Sequence, residues 1–233
     1  MNQKKALKEF SKYYTDRHKK EFPTIFDLCD FKDKKVLEVG AGSEGHFPKE
    51  IIDSVKEYIA TDISKKNLQE LKQKINIKTK TCPAEDLCFD KNTFDIVLSR
   101  WSAQHFDNLK KAVEEMCKVS KQNILIIIPS EKGDQTKMKK IKYKDKDKER
   151  KDRIEKIKKW LFKKDFKVKT KHKLLSFLFP SVKKAIEIFM PLDFENDLNE
   201  KQRKRVKEFL LKRKTKKGIK FTQGACFIYA KLK

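Results

Sequence analysis

Proline and glycine are scarce, six of each in 233 residues. No Pro/Gly/Ser-rich stretch divides the chain, so the sequence predicts no flexible linker. No segment repeats at a fixed period, which excludes a solenoid, and no heptad pattern or long apolar stripe points to an oligomer. Long apolar runs are missing too. The longest, ILIIIP and LLSFLFP, fall far short of the roughly 20 residues a membrane-spanning helix needs. The opening MNQKKALKEFSKYY carries lysines without the apolar segment of a signal peptide. Cys29, Cys82, Cys88, Cys117 and Cys226 are scattered, odd in number and without a C-x-x-C pair. They argue against a disulfide scaffold and a structural zinc site. The expectation is a cytoplasmic protein with reduced thiols, no bound metal and no membrane partner.

Charge, by contrast, is abundant. Charged residues make up 40% of the chain and the net charge is +25, while an apolar content of 38% is enough to fill a core. Residues 131–233 hold 35 lysines and arginines against 14 acids, an excess of +21; residues 1–130 hold 24 against 20. A basic half attracts phosphate-rich partners such as RNA, because neutralised phosphates release counterions. A lysine-rich solvated surface looks the same in sequence. Charge therefore leaves both readings open.

Residues 4–28 place Leu7, Phe10, Tyr13 or Tyr14, Phe22, Ile25 and Phe26 at helical spacing, which predicts one or two N-terminal helices. Short apolar runs follow: KKVLEVG (34–40), EYIATDIS (57–64), KTKTCP (78–83), FDIVLSRW (94–101) and NILIIIP (123–129) read as strands. Between them, EGHFPKEIIDSV reads as a helix interrupted at Pro48, SKKNLQELKQKI as a helix capped by Ser64, and FDNLKKAVEEMCKVS (106–120) as an amphipathic helix. Strands apolar on both faces that alternate with helices imply a doubly wound α/β fold with a mostly parallel sheet. After Pro129 a charge run is predicted to be a mobile loop entering a helix around DRIEKIKKWLF. A sixth strand (166–179), a helix in PSVKKAIEIF, a lysine-rich helix (199–214) and a last strand ACFIYAKLK (225–233) complete the chain.

The stretch EVGAGSEGHF places Gly40, Gly42 and Gly45 at G-x-G-x-x-G spacing directly after the first strand. Such a loop brings backbone close to a nucleotide, and by itself it suits a dinucleotide, adenosylmethionine or a plain turn. Asp62 ends the next strand, 22 residues beyond Gly40, where a carboxylate takes ribose hydroxyls of either ligand. Three features favour adenosylmethionine. Glu38 suits a methionine ammonium and would repel a pyrophosphate, Glu44 adds an acid at the start of the following helix, and the final strand fits a seven-stranded sheet whose last strand is reversed.

Over residues 35–128 the chain resembles the class I S-adenosylmethionine-dependent methyltransferases, in particular the group that includes the ubiquinone and menaquinone biosynthesis enzymes. VLEVGAGSEGHF is similar to their first motif, YIATDIS to their second, and CPAEDLCFDKNTFDIVLSRWSAQHF to their G-D-A-E-x-L-P-F…S-F-D-x-V…H-H segment. The resemblance implies a Rossmann-like fold and S-adenosyl-L-methionine as cofactor. It implies that Gly40, Ala41 and Gly42 pass under the methionine and ribose, Glu38 holds the methionine ammonium, and Asp62 the ribose. Ile63 would pack on adenine, with Ala84 and Glu85 along its edge, and Ser99 and Arg100 would lie near the methionine. Residues 1–30 correspond to an N-terminal helical lid in which Tyr14 and Arg17 close over the methionine carboxylate. Residues 31–233 form the methyltransferase domain, with 130–150 and 172–215 on the substrate side. Pro83 stands where the family has an aspartate, Lys121-Gln122-Asn123 where it has Pro-Gly-Gly, and Gln104-His105 where it has His-His.

His105 is the candidate general base, needed only when the acceptor must lose a proton; packing or capping of the next helix is its plainer role. The fourth strand ends SRWS rather than in an N-P-P-Y motif, no cysteine sits where a nucleophile for cytosine or uracil would, and the cysteines are not paired for arsenic. What remains is O-, N- or C-methylation of a small-molecule acceptor, with tRNA or rRNA as the alternative. LLSFLFPSVKKAIEIFMP either roofs an apolar acceptor pocket or packs as core.

Overall fold

A computed structural model describes residues 2–233. Its strands are β1 (Lys35–Val39), β2 (Glu57–Asp62), β3 (Lys78–Thr81), β4 (Phe94–Arg100), β5 (Ser120–Pro129), β6 (Phe166–Phe179), β7 (Lys214–Thr215) and β8 (Gly218–Leu232). Its helices are α1 (Gln3–Lys12), α2 (Phe22–Phe26), α3 (Pro48–Ile51), α4 (Lys65–Lys72), α5 (Leu109–Val119), α6 (Asp134–Lys139), α7 (Lys146–Phe162), α8 (Val182–Asp193) and α9 (Glu200–Leu211), with a π-helical turn at Arg17–Glu21. The strands follow the order β3-β2-β1-β4-β5-β8-β6, and the short β7 pairs antiparallel with β8. Pairs β1–β2, β1–β4, β2–β3 and β4–β5 are parallel. This is the Rossmann-like sheet with a reversed last strand, carrying eight strands in place of seven because β7 adds a two-residue pairing.

Two compact units divide the chain. One gathers the residues up to Pro23, Ser130–Asp152 and His172–Ala225; the other Thr24–Pro129, Arg153–Lys171 and Cys226–Lys233. The second unit holds the parallel strands. Leu37 and Val97 face each other across β1 and β4, and with Ile124, Ile126 and Ile128 of β5 they pack on Val113 and Met116 of α5 and Ile157 and Leu161 of α7. Ala112, Val113, Met116 and Val119 put one apolar stripe on α5. Ser64 caps α4 as its sequence predicts, its hydroxyl accepting from the Asn67 amide at 3.2 Å.

The first unit is built around phenylalanine. Phe10 stacks on Phe177 at 4.2 Å, and Phe179 meets Phe189 at 5.1 Å and Phe221 at 6.3 Å. Phe177 and Phe179 come from the LLSFLFP run and are buried, so these two rings serve as core of this unit.

Two expectations fail for physical reasons. The stretch over 44–55 does not form a helix broken at Pro48: α3 begins there, with Pro48 in its first turn where no N–H is needed, and Glu44 stays in the preceding loop. The charge run after Pro129 is not a loop throughout, because it forms α6 and enters α7 already at Lys146. Buried Arg150 organises it, donating to the Ser130 carbonyl and to Gln135 Oε1, each at 3.2 Å, and to Thr136 Oγ1. Gln135 donates on to Asp193 at 3.2 Å, and Lys139 pairs with Asp193 at 2.9 Å. A helix anchored by polar side chains leaves no apolar period to read.

Among the described residues no helix is long and apolar enough to cross a membrane. Where the chain leaves β5, a Cβ on Gly224 would lie 2.3 Å from Ser130 Oγ and 2.4 Å from the Lys132 carbonyl oxygen. Gly224→Ala should therefore lower stability by about 1–3 kcal/mol through overpacking, read as a lower urea midpoint at unchanged slope.

Candidate active site

Beyond β1 the chain turns through Gly40 and Gly42 at φ +71° and +65°, the left-handed region that side chains disfavour. Gly40 is also crowded: a Cβ there would lie 2.1 Å from Ser102 Oγ and 3.3 Å from the Phe106 ring. A Cβ on Gly42 would meet nothing within 4 Å. The loop is thus pressed on one side against the segment after β4 and open above Gly42, where a ligand can lie on bare backbone.

Asp62 holds this loop in place. Its Oδ2 accepts from the Gly42 amide at 2.9 Å, and its Oδ1 accepts from the Ser64 amide at 2.8 Å and from Asn67 Nδ2 at 3.2 Å. The Ala41 amide donates to the Thr61 carbonyl at 2.8 Å. Hydrogen bonds to a charged acceptor contribute about 1.5–3 kcal/mol each, so one carboxylate fixes both the glycine loop and the start of α4. Each carboxylate oxygen has two lone-pair directions, which leaves acceptor capacity for a ligand hydroxyl. Beside it Ile63 is 72% exposed, an apolar side chain that packing does not explain.

At the end of β1, Glu38 is buried and not solitary. Tyr58 Oη donates to its Oε2 at 2.6 Å, and Arg100 Nη1 lies 3.7 Å from its Oε1. The Arg100 guanidinium sits 4.9 Å above the Phe47 ring, and Thr61 Oγ1 donates to the Glu38 carbonyl at 3.1 Å. Burial, and then the Glu38 charge, push the Tyr58 phenol well above the usual tyrosine range.

The other expected residues divide. Ser99 is fully buried, and its hydroxyl has no hydrogen-bond partner among the described residues. Ala84 packs in the core with Leu87 and Phe94. Glu85 accepts from the Asn108 amide at 3.0 Å, bracing the approach to α5. His105 is exposed at the end of the 3-10 turn Ala103–His105. Glu38, Gly40, Ala41, Gly42, Asp62, Ile63, Ser99 and Arg100 come together at the carboxyl ends of β1, β2 and β4. Tyr14 and Arg17 belong to the other unit, where the Arg17 guanidinium lies 4.8 Å over the Tyr14 ring and Tyr14 stacks on Phe177 at 4.9 Å.

Sequence reading missed three participants. Tyr58 reads as an ordinary strand aromatic, and Asn67 as a surface helix residue. Trp101 adopts φ +54°, a costly conformation for a bulky side chain, of the kind that concentrates at functional sites. Its place at the end of β4 was the available signal.

Residues 37–128 match the family described as a methyltransferase domain. The segment from β1 to β5 is therefore similar to a methyltransferase domain. It is 34% identical over 95 residues to YcgJ, an uncharacterised methyltransferase of Bacillus subtilis (strain 168), a match spanning 38% of this chain and 37% of that relative. The solved YcgJ structure resembles it with a TM-score of 0.64 and 17% identity over 91% of this chain and 97% of that one. Phosphoethanolamine N-methyltransferase 2 of Haemonchus contortus, solved in complex with S-adenosyl-L-methionine, resembles it with a TM-score of 0.56 and 16% identity over 91% and 52%. At such identities the structural likeness speaks for the fold.

Tyr58 carries a pH-dependent prediction. An unfolded tyrosine loses its proton near pH 10, while folded Tyr58 keeps it, its pKa being raised. Above about pH 10 the unfolded state binds fewer protons, so stability falls as pH rises. Tyr58→Phe should flatten that fall and cost about 1–3 kcal/mol at neutral pH by leaving a Glu38 oxygen without its donor. Urea unfolding on both sides of pH 10 checks both effects.

Proposed function

We propose that the methyltransferase domain uses S-adenosyl-L-methionine to methylate an O, N or C atom of a small molecule. The observation that carries this reading is the glycine loop, open above Gly42 and tied to the Asp62 carboxylate, which retains lone pairs for ribose hydroxyls. Exposed Ile63 offers an apolar face for adenine, and the Ser99 hydroxyl an acceptor or donor toward the methionine end. Glu38 would face the ammonium, directly or through water. Ala84 and Glu85 would border the adenine edge.

Bound there, the cofactor supplies an electrophilic methyl on a sulfonium with a neutral thioether as leaving group. The chain's own part is then alignment of the acceptor, an effect of several kcal/mol. His105 takes a proton at its imidazole where the acceptor has one to lose. Five free cysteines accord with a reducing, cytoplasmic setting.

A second reading rests on α9 and the β7–β8 turn. There Lys201, Lys204, Arg205, Lys207, Lys214 and Lys216 are exposed, the kind of surface that grips RNA backbone. Under it, tRNA or rRNA is the acceptor, and RNA affinity should fall steeply with salt.

Methyl transfer from tritium-labelled adenosylmethionine, to small molecules first and bulk RNA second, separates the two. Asp62→Ala should weaken adenosylhomocysteine at least about tenfold, since it removes the loop's anchor as well as the ribose acceptor; an unchanged dissociation constant would contradict the assignment. His105→Ala should lower kcat with little change in cofactor affinity, whereas full turnover at saturating acceptor would give it a packing role instead.

A further inference from the structure

Cys82 and Cys88 make no C-x-x-C pair in the sequence, yet the loop between β3 and β4 brings them together. Cys82 is buried and Cys88 exposed. The chain between them turns back on itself: the Asp86 amide donates to the Pro83 carbonyl at 3.3 Å and the Phe89 amide to the Leu87 carbonyl at 2.8 Å. Lys80, just before Cys82, holds the Cys88 carbonyl at 2.6 Å. The Cys88 amide and thiol thereby reach the Cys82 sulfur as hydrogen-bonding neighbours. The loop is also pinned to α5 and its cap, where Glu85 accepts from the Asn108 amide and Glu115 from the Leu87 amide, each at 3.0 Å. Two sulfurs held by one fixed loop react with each other ahead of sulfurs on a second molecule.

Their surroundings divide the roles. Burial pushes the Cys82 thiol up to about 11, so it keeps its proton. Cys88 instead borders an open cavity of about 530 Å³ with Lys80, Asp86, Asp90 and Lys118, polar walls that admit a small peroxide. Redox-responsive pairs join an accessible first sulfur to a second one poised to resolve it, and in reducing compartments their bonds are transient. We propose that Cys88 is a site of oxidation by hydrogen peroxide and that Cys82 resolves the product as a Cys82–Cys88 disulfide. The Cys88 sulfur attacks one peroxide oxygen, the O–O bond breaks, the other oxygen leaves as water, and Cys88 becomes a sulfenic acid. The Cys82 sulfur then bonds to that of Cys88, the S–O bond breaks, and the hydroxyl leaves as water with the Cys82 proton. Two thiols lose two electrons, one hydrogen peroxide becomes two waters, and an external dithiol reverses the change. None of this depends on which cofactor the glycine loop takes.

Trypsin cleaves after Lys80 and Lys91, so TCPAEDLCFDK carries both sulfurs on one peptide. The folded full chain is treated with hydrogen peroxide, then unfolded in iodoacetamide and digested. Mass spectrometry should find this peptide unalkylated and two hydrogens lighter, and dithiothreitol before unfolding should restore both alkylation sites. Cys29, Cys117 and Cys226 should alkylate as they do without peroxide. In Cys82→Ser, Cys88 should stop at the sulfenic acid and be trapped by dimedone; the wild-type peptide decides the matter where that variant does not fold. Two free thiols on the wild-type peptide, at a peroxide dose that oxidises free cysteine, would overturn the proposal. So would Cys88 driven to sulfinic acid beside a free Cys82, or bonded to a second chain.

Discussion

A single carboxylate at the end of β2 accepts three N–H donors, and the shape of the site depends on it. Asp62 joins the Gly42 amide to the Ser64 amide and the Asn67 side chain. The glycine loop, with its left-handed turns, has little else to define it from that side, because a glycine brings no side chain to pack. Fixing flexible backbone costs about 1–2 kcal/mol per residue, a cost that charged hydrogen bonds of this strength offset. The same geometry leaves Ile63 facing outward and the carboxylate with lone pairs to spare.

Buried charge elsewhere follows two different solutions. In the unit holding Arg150, the guanidinium donates to carbonyl, hydroxyl and amide oxygens, and Asp193 is met by Lys139 and Gln135. That network ties Ser130, α6 and α8 together through side chains, with Asp193 meeting both partners at its Oδ1. Around Glu38 the pairing is looser, with the guanidinium resting on Phe47 at more than hydrogen-bonding distance from the acid. The contrast within one chain is between a network that holds helices together and a buried pair whose members also lean on Tyr58 and Phe47.

Most of the second unit was legible in the sequence, because β1, β4 and β5 are uniformly apolar runs and only a strand covered on both faces tolerates that. The turn of the loop was legible for a related reason: glycines at fixed spacing after an apolar strand mark backbone that a side chain would obstruct, as at Gly40. Ser64 as a cap followed from its position before a helical pattern. What stayed hidden was whatever polar side chains decide. Nothing in a lysine-rich run signals that Arg150 will be buried, or that α6 will form on its account. Tyr58 looked like sheet filler because a strand gives no hint of which hydroxyl will face a carboxylate from the neighbouring strand. Pro48 was read as an interruption, although a proline in a first turn begins a helix as readily as it ends one.

The central claim is that this loop and its acid form an adenosyl pocket, and thermal denaturation with adenosylmethionine, adenosylhomocysteine and NAD in parallel tests it most directly. A ligand that binds only the folded state, present at about 100 times its Kd, adds roughly 2.7 kcal/mol of stability. The expected result is a clear rise in Tm with the two adenosyl ligands and none with NAD. A rise with NAD alone, or no rise with any of the three, would contradict the account.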